Sequence, residues 1–378
     1  MPFVNDIDAD RPRKILTLDG GGVRGALSVE VLARIEEIAR QRGADTLSDY
    51  FDYISGTSTG AILAAGLSLG WSVERLRRFY ETRAEEMFDK SFLLERLHHL
   101  YDAEPLRALL REEIGTEEDG SEVTLGSPRL KTLLMMVMRN ATTDSPWPMS
   151  NNPRALYNDR GRADVNLAVP LWQLVRGSTA APVYFPPECV RVGEREFLFV
   201  DGGLTCYNNP SFHTFLMATT APYRLGWATG EERMLLVSVG TGTNPMANAG
   251  LAPGDMNLLY NATTVPSALM FAAQNEQDFL CRTFGKCLCG DVLDREIGHM
   301  RHVHDAPGTG PVDPKLFTYV RYNADLTFEG LSRLGVGDID PEEVQKLDAV
   351  EGVPELQRVG RAVASRQVEP SHFEGFDA

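Results

Sequence analysis

The pentapeptide Gly56-Thr57-Ser58-Thr59-Gly60 sets a serine between glycines, where the strand-like "FDYIS" gives way to the Ala- and Leu-rich "AILAAGLSLG". A G-x-S-x-G turn between a strand and a helix exposes a serine Oγ at the top of a sheet, as a nucleophile requires. Gly56 and Gly60 suit a turn too tight for side-chain carbons, and the helix N-terminus favours negative charge beside Ser58. A plainer reading has Ser58 capping the helix among convenient glycines. The second candidate is Asp201, which ends "EREFLFV" and precedes Gly202 and Gly203, so that its carboxylate projects from a strand end. Asp-Gly-Gly is also an ordinary turn.

A third stretch, "ILTLDGGGVRG", contains Gly20, Gly22 and Gly25 in the spacing G-x-G-x-x-G. That spacing holds a dinucleotide pyrophosphate at a helix N-terminus, and the same N–H groups equally suit the oxyanion of a reacting ester. The charge of Asp19 opposes a pyrophosphate, and no clear acidic ribose ligand follows about 20 residues on. A serine nucleophile also needs a base. An α/β-hydrolase would supply Ser, then Asp or Glu, then His. Of His98, His99, His213, His299, His302, His304 and His372, none sits in a convincing strand-end loop, and His213 comes closest.

Taken together, "DGGGVRG" at Asp19–Gly25, "GTSTG" at Gly56–Gly60, and "DGG" at Asp201–Gly203 followed by "NNP" at Asn208–Pro210 resemble the patatin-like phospholipases in order and separation. "STAAPVYFPP" from Ser178 and "VSVGTGT" from Val237 resemble further blocks of that family, so the resemblance runs roughly from Lys14 to Thr243. It implies an α/β patatin-like fold with a mostly parallel central sheet flanked by helices. It also implies a dyad of Ser58 as nucleophile and Asp201 as proton acceptor, working through an acyl-serine. Gly20, Gly21 and Gly22 would form the oxyanion hole, supported by Arg24 and Gly25. The implied substrate is a phospholipid or lysophospholipid met at a membrane surface, with neither cofactor nor metal. Some bacterial relatives act only after a cyclic nucleotide signal, and the C-terminal extension is a place for such control. An unperturbed Asp, near ~3.9, is a weaker base than a His near ~6.5 by roughly 3.5 kcal/mol. Burial beside the apolar Phe197–Val200 would recover part of that.

These residues need elements to hold them. Short apolar runs alternating with helical patterns predict an α/β protein with a mostly parallel sheet. Strands are expected at Lys14–Leu18, Phe51–Ile54, Lys131–Met138, Phe197–Val200 and Met234–Val239. Helices are expected at Gly25–Arg42, Thr57–Leu69, Val73–Glu86, Glu104–Glu113, Leu171–Ser178, Pro210–Thr219 and Pro266–Arg282. "GTEEDGSEV" from Gly115 and "HDAPGTGPVDP" from His304 read as boundaries. Beyond the second, "DPKLFTYVRYNADLT" suggests a strand and Pro341–Val363 a helix started by Pro341. The expected organisation is a catalytic core over 14–243 with its motifs in 15–213, a helical continuation over 244–310, and a C-terminal strand and helical accessory over 311–378.

With 378 residues, 43% hydrophobic, the chain can bury a full core. A formal charge of -16 argues against nucleic acid and against capture by an anionic membrane through the overall field. No signal-peptide pattern, lipidation motif or apolar run of spanning length is visible, which points to a cytoplasmic protein, at most peripheral on a membrane. Five cysteines without a secretion signal favour reduced thiols. Cys281, Cys287, Cys289, His299, His302 and His304 crowd one stretch, but their spacing matches no standard zinc pattern. The methionines of "LLMMVM" read as a central strand. "MFDKSFLLERLHHLY" from Met87 and "GDMNLLYNATTVPSALMF" from Gly254 read as core helices or as lipid-facing segments.

Overall fold

A computed structural model describes residues 6–87, 101–182, 184–244, 251–302 and 310–377. Its strands are β1 (Arg13–Leu18), β2 (Tyr53–Thr57), β3 (Leu133–Asn140), β4 (Ser145–Ser150), β5 (Glu188–Val192), β6 (Arg195–Asp201), β7 (Met234–Val239), β8 (Lys286–Cys289) and β9 (Thr318–Tyr322). Among the described residues they form one nine-stranded sheet in the order β5-β6-β3-β2-β1-β7-β9-β8, with β4 paired to β3 off that path. From β3 to β8 every pairing is parallel, whereas β4, β5 and β6 run antiparallel to their neighbours.

The helices are α1 (Gly25–Gln41), α2 (Leu47–Tyr50), α3 (Thr59–Ser68), α4 (Val73–Met87), α5 (Glu104–Ile114), α6 (Leu171–Ser178), α7 (Ser211–Thr219), α8 (Leu258–Phe284), α9 (Phe328–Leu334), α10 (Pro341–Gln345) and α11 (Val353–Gln367). They cover both faces of the sheet, which is why the central strands read as unbroken apolar runs. Leu16 and Leu18 of β1, with Leu235 and Val237 of β7, face a core built with α1 and α3. Ile15 and Tyr53, with Met234 and Leu236, face the opposite core, shared with Phe215 and Met217 of α7. Met135, Met136 and Met138 are fully buried in β3.

Several boundaries move for local reasons. The Thr46 and Asp49 side chains form a capping box that makes Leu47–Tyr50 helical, so Phe51 caps α2 and β2 starts at Tyr53. The expected helix Thr57–Leu69 starts at Thr59, because Thr57 ends β2 and Ser58 occupies the turn. Pro341 does open a helix, capped by the Asp340 side chain, but that helix ends at Gln345. A 3-10 turn at Val350–Gly352 precedes α11, whose first turn holds Pro354, so Pro341–Val363 is two helices and not one. The expectations missed β4, β5 and β8. β4 carries Pro146 and Pro148 and pairs only with β3, the edge position where proline costs no ladder bond.

β9 lies between β7 and β8, in parallel register with both. α11 packs on α1 so closely that a side-chain carbon on Gly360 would stand 2.4 Å from the Leu27 carbonyl oxygen. No helix among the described residues is long and apolar enough to cross a membrane. Most of the Met87–Tyr101 stretch, with His98 and His99, and most of the boundary at His304 lie outside the described residues. The stretch from Gly254 forms a short 3-10 turn and the first half of α8.

Candidate active site

Strand register brings Ser58 and Asp201 together. Val137 of β3 pairs with Thr57 and its neighbour Met138 pairs with Asp201, so β2 and β6 meet end to end along one edge of β3, with β4 on the other edge. Ser58, the residue after Thr57, adopts φ 55° and ψ -124°, a strained backbone for any residue with a side chain. The strain fits a turn packed without clearance. A side-chain carbon on Gly56 would stand 2.0 Å from the Gly60 carbonyl oxygen, and one on Gly60 would stand 2.2 Å from that of Leu18. Ser58 N–H donates to Ser178 Oγ at 2.9 Å, and Ser178 Oγ donates to the Val137 carbonyl at 2.6 Å. The "STAAP" block contains that serine, but its partners are distant in the chain.

Ser58 Oγ donates to Asp201 Oδ2 at 2.6 Å, while Asp201 Oδ1 accepts the Gly203 N–H at 2.7 Å. Both residues are nearly buried, Asp201 at 4% exposure. Burial pushes the Asp201 carboxyl up to about 6, against the opposing pull of the Ser58 and Gly203 hydrogen bonds and of the Arg176 charge. The carboxylate thus regains most of the basicity by which an ordinary aspartate falls short of histidine. His213 lies elsewhere: it is buried on α7, stacked on Tyr207 at 4.2 Å, and burial lowers its imidazole to about 4.

The glycine loop runs from the end of β1 to α1. Gly20 departs from the expected role of N–H donor, because its N–H is taken by the Asn208 carbonyl at 3.1 Å. Its contribution is instead closeness, since a side-chain carbon there would stand 3.2 Å from Ser58 Cβ. Thr241 Oγ1 donates to the Gly20 carbonyl at 2.8 Å, and the Arg24 N–H donates to the Gly21 carbonyl at 3.2 Å. Carbonyl and N–H point to opposite sides of a planar trans peptide, so these bonds turn the Gly21 and Gly22 N–H groups the other way. Among the described residues neither N–H has a hydrogen-bond partner. Gly22 has φ +60° and lies against the Leu347 carbonyl, which accepts the Val23 N–H at 2.8 Å. Half-buried Arg24 also reaches the Gly21 carbonyl through Nε at 3.4 Å, and Gly25 packs against Thr59 and Tyr80. Gly202 lies against the Val137 carbonyl.

The sequence did not reveal what holds the loop from behind. Asp19, fully buried at its head, is paired with Arg321 of β9 through Oδ1 at 2.8 Å and Oδ2 at 2.5 Å, and also accepts from Gln274 of α8. Arg321 lies 302 residues away in the chain, so no local pattern could have signalled it. The Cys-His stretch is occupied by packing: Cys281, Cys287 and Cys289 are buried thiols, the latter two raised to about 12 and about 11 by burial, and Arg282 pairs with Asp278 at 2.6 Å. Among the described residues no group of side chains is arranged to hold a metal ion.

A serine hydroxyl bonded to a buried carboxylate of raised basicity can pass a proton, and the unpartnered Gly21 and Gly22 N–H groups ahead of α1 can bind an anion. Residues 16–215 match the family model described as "Patatin-like phospholipase". The chain is 31% identical over 219 residues to a cGAMP-activated phospholipase of Escherichia coli, covering 55% of this chain and 57% of that one. It is 32% identical over 216 residues to a cGAMP-activated phospholipase of Vibrio cholerae, covering 53% and 56%. An intracellular phospholipase A2 of Caenorhabditis elegans is 30% identical over 239 residues, covering 61% of this chain and 20% of that one. The chain thus spans little more than half the length of the two bacterial relatives and a fifth of the nematode one.

Proposed function

This chain belongs to the patatin-like phospholipase family, and from that membership we propose that it is a serine lipid acyl hydrolase of phospholipase A or lysophospholipase type. The observation that carries the reading is the Ser58 Oγ to Asp201 Oδ2 hydrogen bond within a strand-turn-helix elbow. Ser58 Oγ attacks the ester carbonyl while its proton passes to Asp201. The Gly21 and Gly22 N–H groups stabilise the oxyanion, each such donor contributing about 2.7–4 kcal/mol to the barrier reduction. The lipid alcohol leaves with the proton from Asp201, and water then hydrolyses the acyl-serine. The substrate is a phospholipid or similar acyl ester, taken from a membrane surface by transient contact. The proposed catalytic core spans 14–243, with 244–310 its continuation and 311–378 an accessory.

A second reading adds control by a small molecule, and two observations favour it. Two relatives carry "cGAMP-activated" in their names. In this chain, Leu347 and Arg321 of the C-terminal segment touch the glycine loop directly. One experiment addresses both readings: phosphatidylcholine vesicles incubated with enzyme, with and without cGAMP, and the released fatty acid and lysolipid identified by mass. Fatty acid release by wild type and covalent labelling of Ser58 by a fluorophosphonate are expected. No release in either condition overturns the hydrolase reading, and equal release in both overturns obligatory activation.

The pH profile follows from Asp201. Only the ionised carboxylate accepts the serine proton, so kcat/KM is expected to fall about tenfold per pH unit below about 6, and to level off above it. A plateau extending unchanged below pH 5 in a soluble-ester assay contradicts Asp201 as the base.

A further inference from the structure

Asn208 belongs to a motif that the reaction above leaves unused. The residue is 3% exposed, and its Oδ1 has no hydrogen-bond partner among the described residues. A buried amide oxygen left unpaired bears an uncompensated desolvation cost, so such an atom calls for a partner during the working cycle. Its surroundings indicate which one. A side-chain carbon on Gly20 would stand 2.3 Å from Asn208 Oδ1 and 3.2 Å from Ser58 Cβ. One on Gly203 would stand 3.0 Å from Asn208 Oδ1 and 3.0 Å from Asp201 Oδ1. The orphan oxygen therefore lies close to both members of the dyad, in a position that a side chain on residue 20 or 203 would crowd. Its backbone is tied to the same structure: the Asn208 carbonyl accepts the Gly20 N–H at 3.1 Å, and the preceding Tyr207 carbonyl accepts Thr57 Oγ1 at 2.6 Å.

Building on the Ser58–Asp201 hydrolase reading, we propose that Asn208 Oδ1 orients the water that hydrolyses the acyl-enzyme. Once Ser58 Oγ carries the acyl group it has no proton to donate, and the Asp201 carboxylate is open to a new donor. Water has two O–H groups. One is directed to Asp201 and the other to Asn208, which turns a lone pair toward the acyl carbon. The water oxygen bonds to that carbon as its proton passes to Asp201. The tetrahedral intermediate then collapses: the bond from the acyl carbon to Ser58 Oγ breaks, Oγ takes the proton back from Asp201, and the carboxylic acid departs. Acylation uses no water, so Asn208 acts on the second half of the cycle.

Asn208→Leu keeps the side-chain size and removes both polar atoms. With a p-nitrophenyl ester, the burst of p-nitrophenol is expected to persist while steady-state turnover falls roughly 10- to 100-fold. Mass spectrometry of the quenched variant should show Ser58 carrying the acyl group in a larger fraction than in wild type. Unchanged steady-state turnover overturns the proposal. So does parallel loss of burst and turnover in a variant whose Tm is preserved, since that marks a general positioning role. If Asn208→Leu does not fold, Asn208→Ser serves the same measurement. Failure of wild type both to release p-nitrophenol and to take a fluorophosphonate label at Ser58 sinks the hydrolase reading itself, whereas normal deacylation by the variant beside an active wild type removes only the role of Asn208.

Discussion

Asp201→Asn is expected to lower kcat/KM by about 10⁴-fold and Ser58→Ala by about 10⁶-fold, while both variants fold. Asparagine keeps the shape of Asp201 and can still accept at one oxygen, but it cannot take the Ser58 proton, so the nucleophile stays a neutral alcohol. The larger loss is expected at Ser58 because the proposed mechanism has it form the covalent bond. Stability should move in the opposite direction. The Asp201 carboxyl is raised from 3.8 to about 6 by burial. At 1.36 kcal/mol per pH unit, ionising it costs the folded state about 3 kcal/mol at pH 8. That penalty is present above pH 6, shrinks as pH falls, and vanishes below 3.8, where the folded and unfolded forms are both protonated. Asp201→Asn should therefore raise the unfolding free energy at pH 8 by up to about 3 kcal/mol, with no gain at pH 3.5. Urea unfolding at the two pH values, beside ester hydrolysis, checks both. Activity within tenfold of wild type in either variant removes the dyad.

Arg321→Met is expected to destabilise the fold by about 3–5 kcal/mol, the range for removing one partner of a buried ion pair. Arg321 and Asp19 are 3% and 0% exposed at their side chains, and the variant leaves the carboxylate with Gln274 as its remaining charge-assisted partner. The mate of Asp19 is also the rear anchor of the glycine loop, so hydrolysis should fall even at temperatures where the variant stays folded. Combining Arg321→Met with Asp19→Asn removes both charges and should recover part of the stability. In urea unfolding, the pair should show an interaction energy of at least about 1 kcal/mol. Additive losses across the four proteins would mean that Asp19 and Arg321 do not act together.

Much of this site was legible in the chain because its parts are locally encoded. The elbow at Ser58 needs small residues at 56 and 60, the glycine loop needs a backbone without side chains, and Asp201 ends an apolar strand. These are short-range steric demands, and residue types record them. The parallel sheet was visible for the same reason, since strands buried on both faces carry uninterrupted apolar residues. Edge strands such as β4 and β5 carry prolines or alternating polar residues and left a weaker trace.

What the tertiary structure decided is who meets whom. The register of β2, β3 and β6 places the Ser58 hydroxyl on the Asp201 carboxylate. Burial at that meeting point raises the carboxyl to about 6, a property of surroundings and not of residue type. The N–H of Gly20, which the family resemblance assigns to the oxyanion hole, is taken by Asn208, and that bond forms only when two distant loops close on each other. Arg321 and Leu347 brace the glycine loop from the far end of the chain. By itself the sequence determined the chemical groups and the local turns that present them. Folding determined their distances, their solvation and their partners, because those depend on which surfaces pack together once the sheet has closed its register.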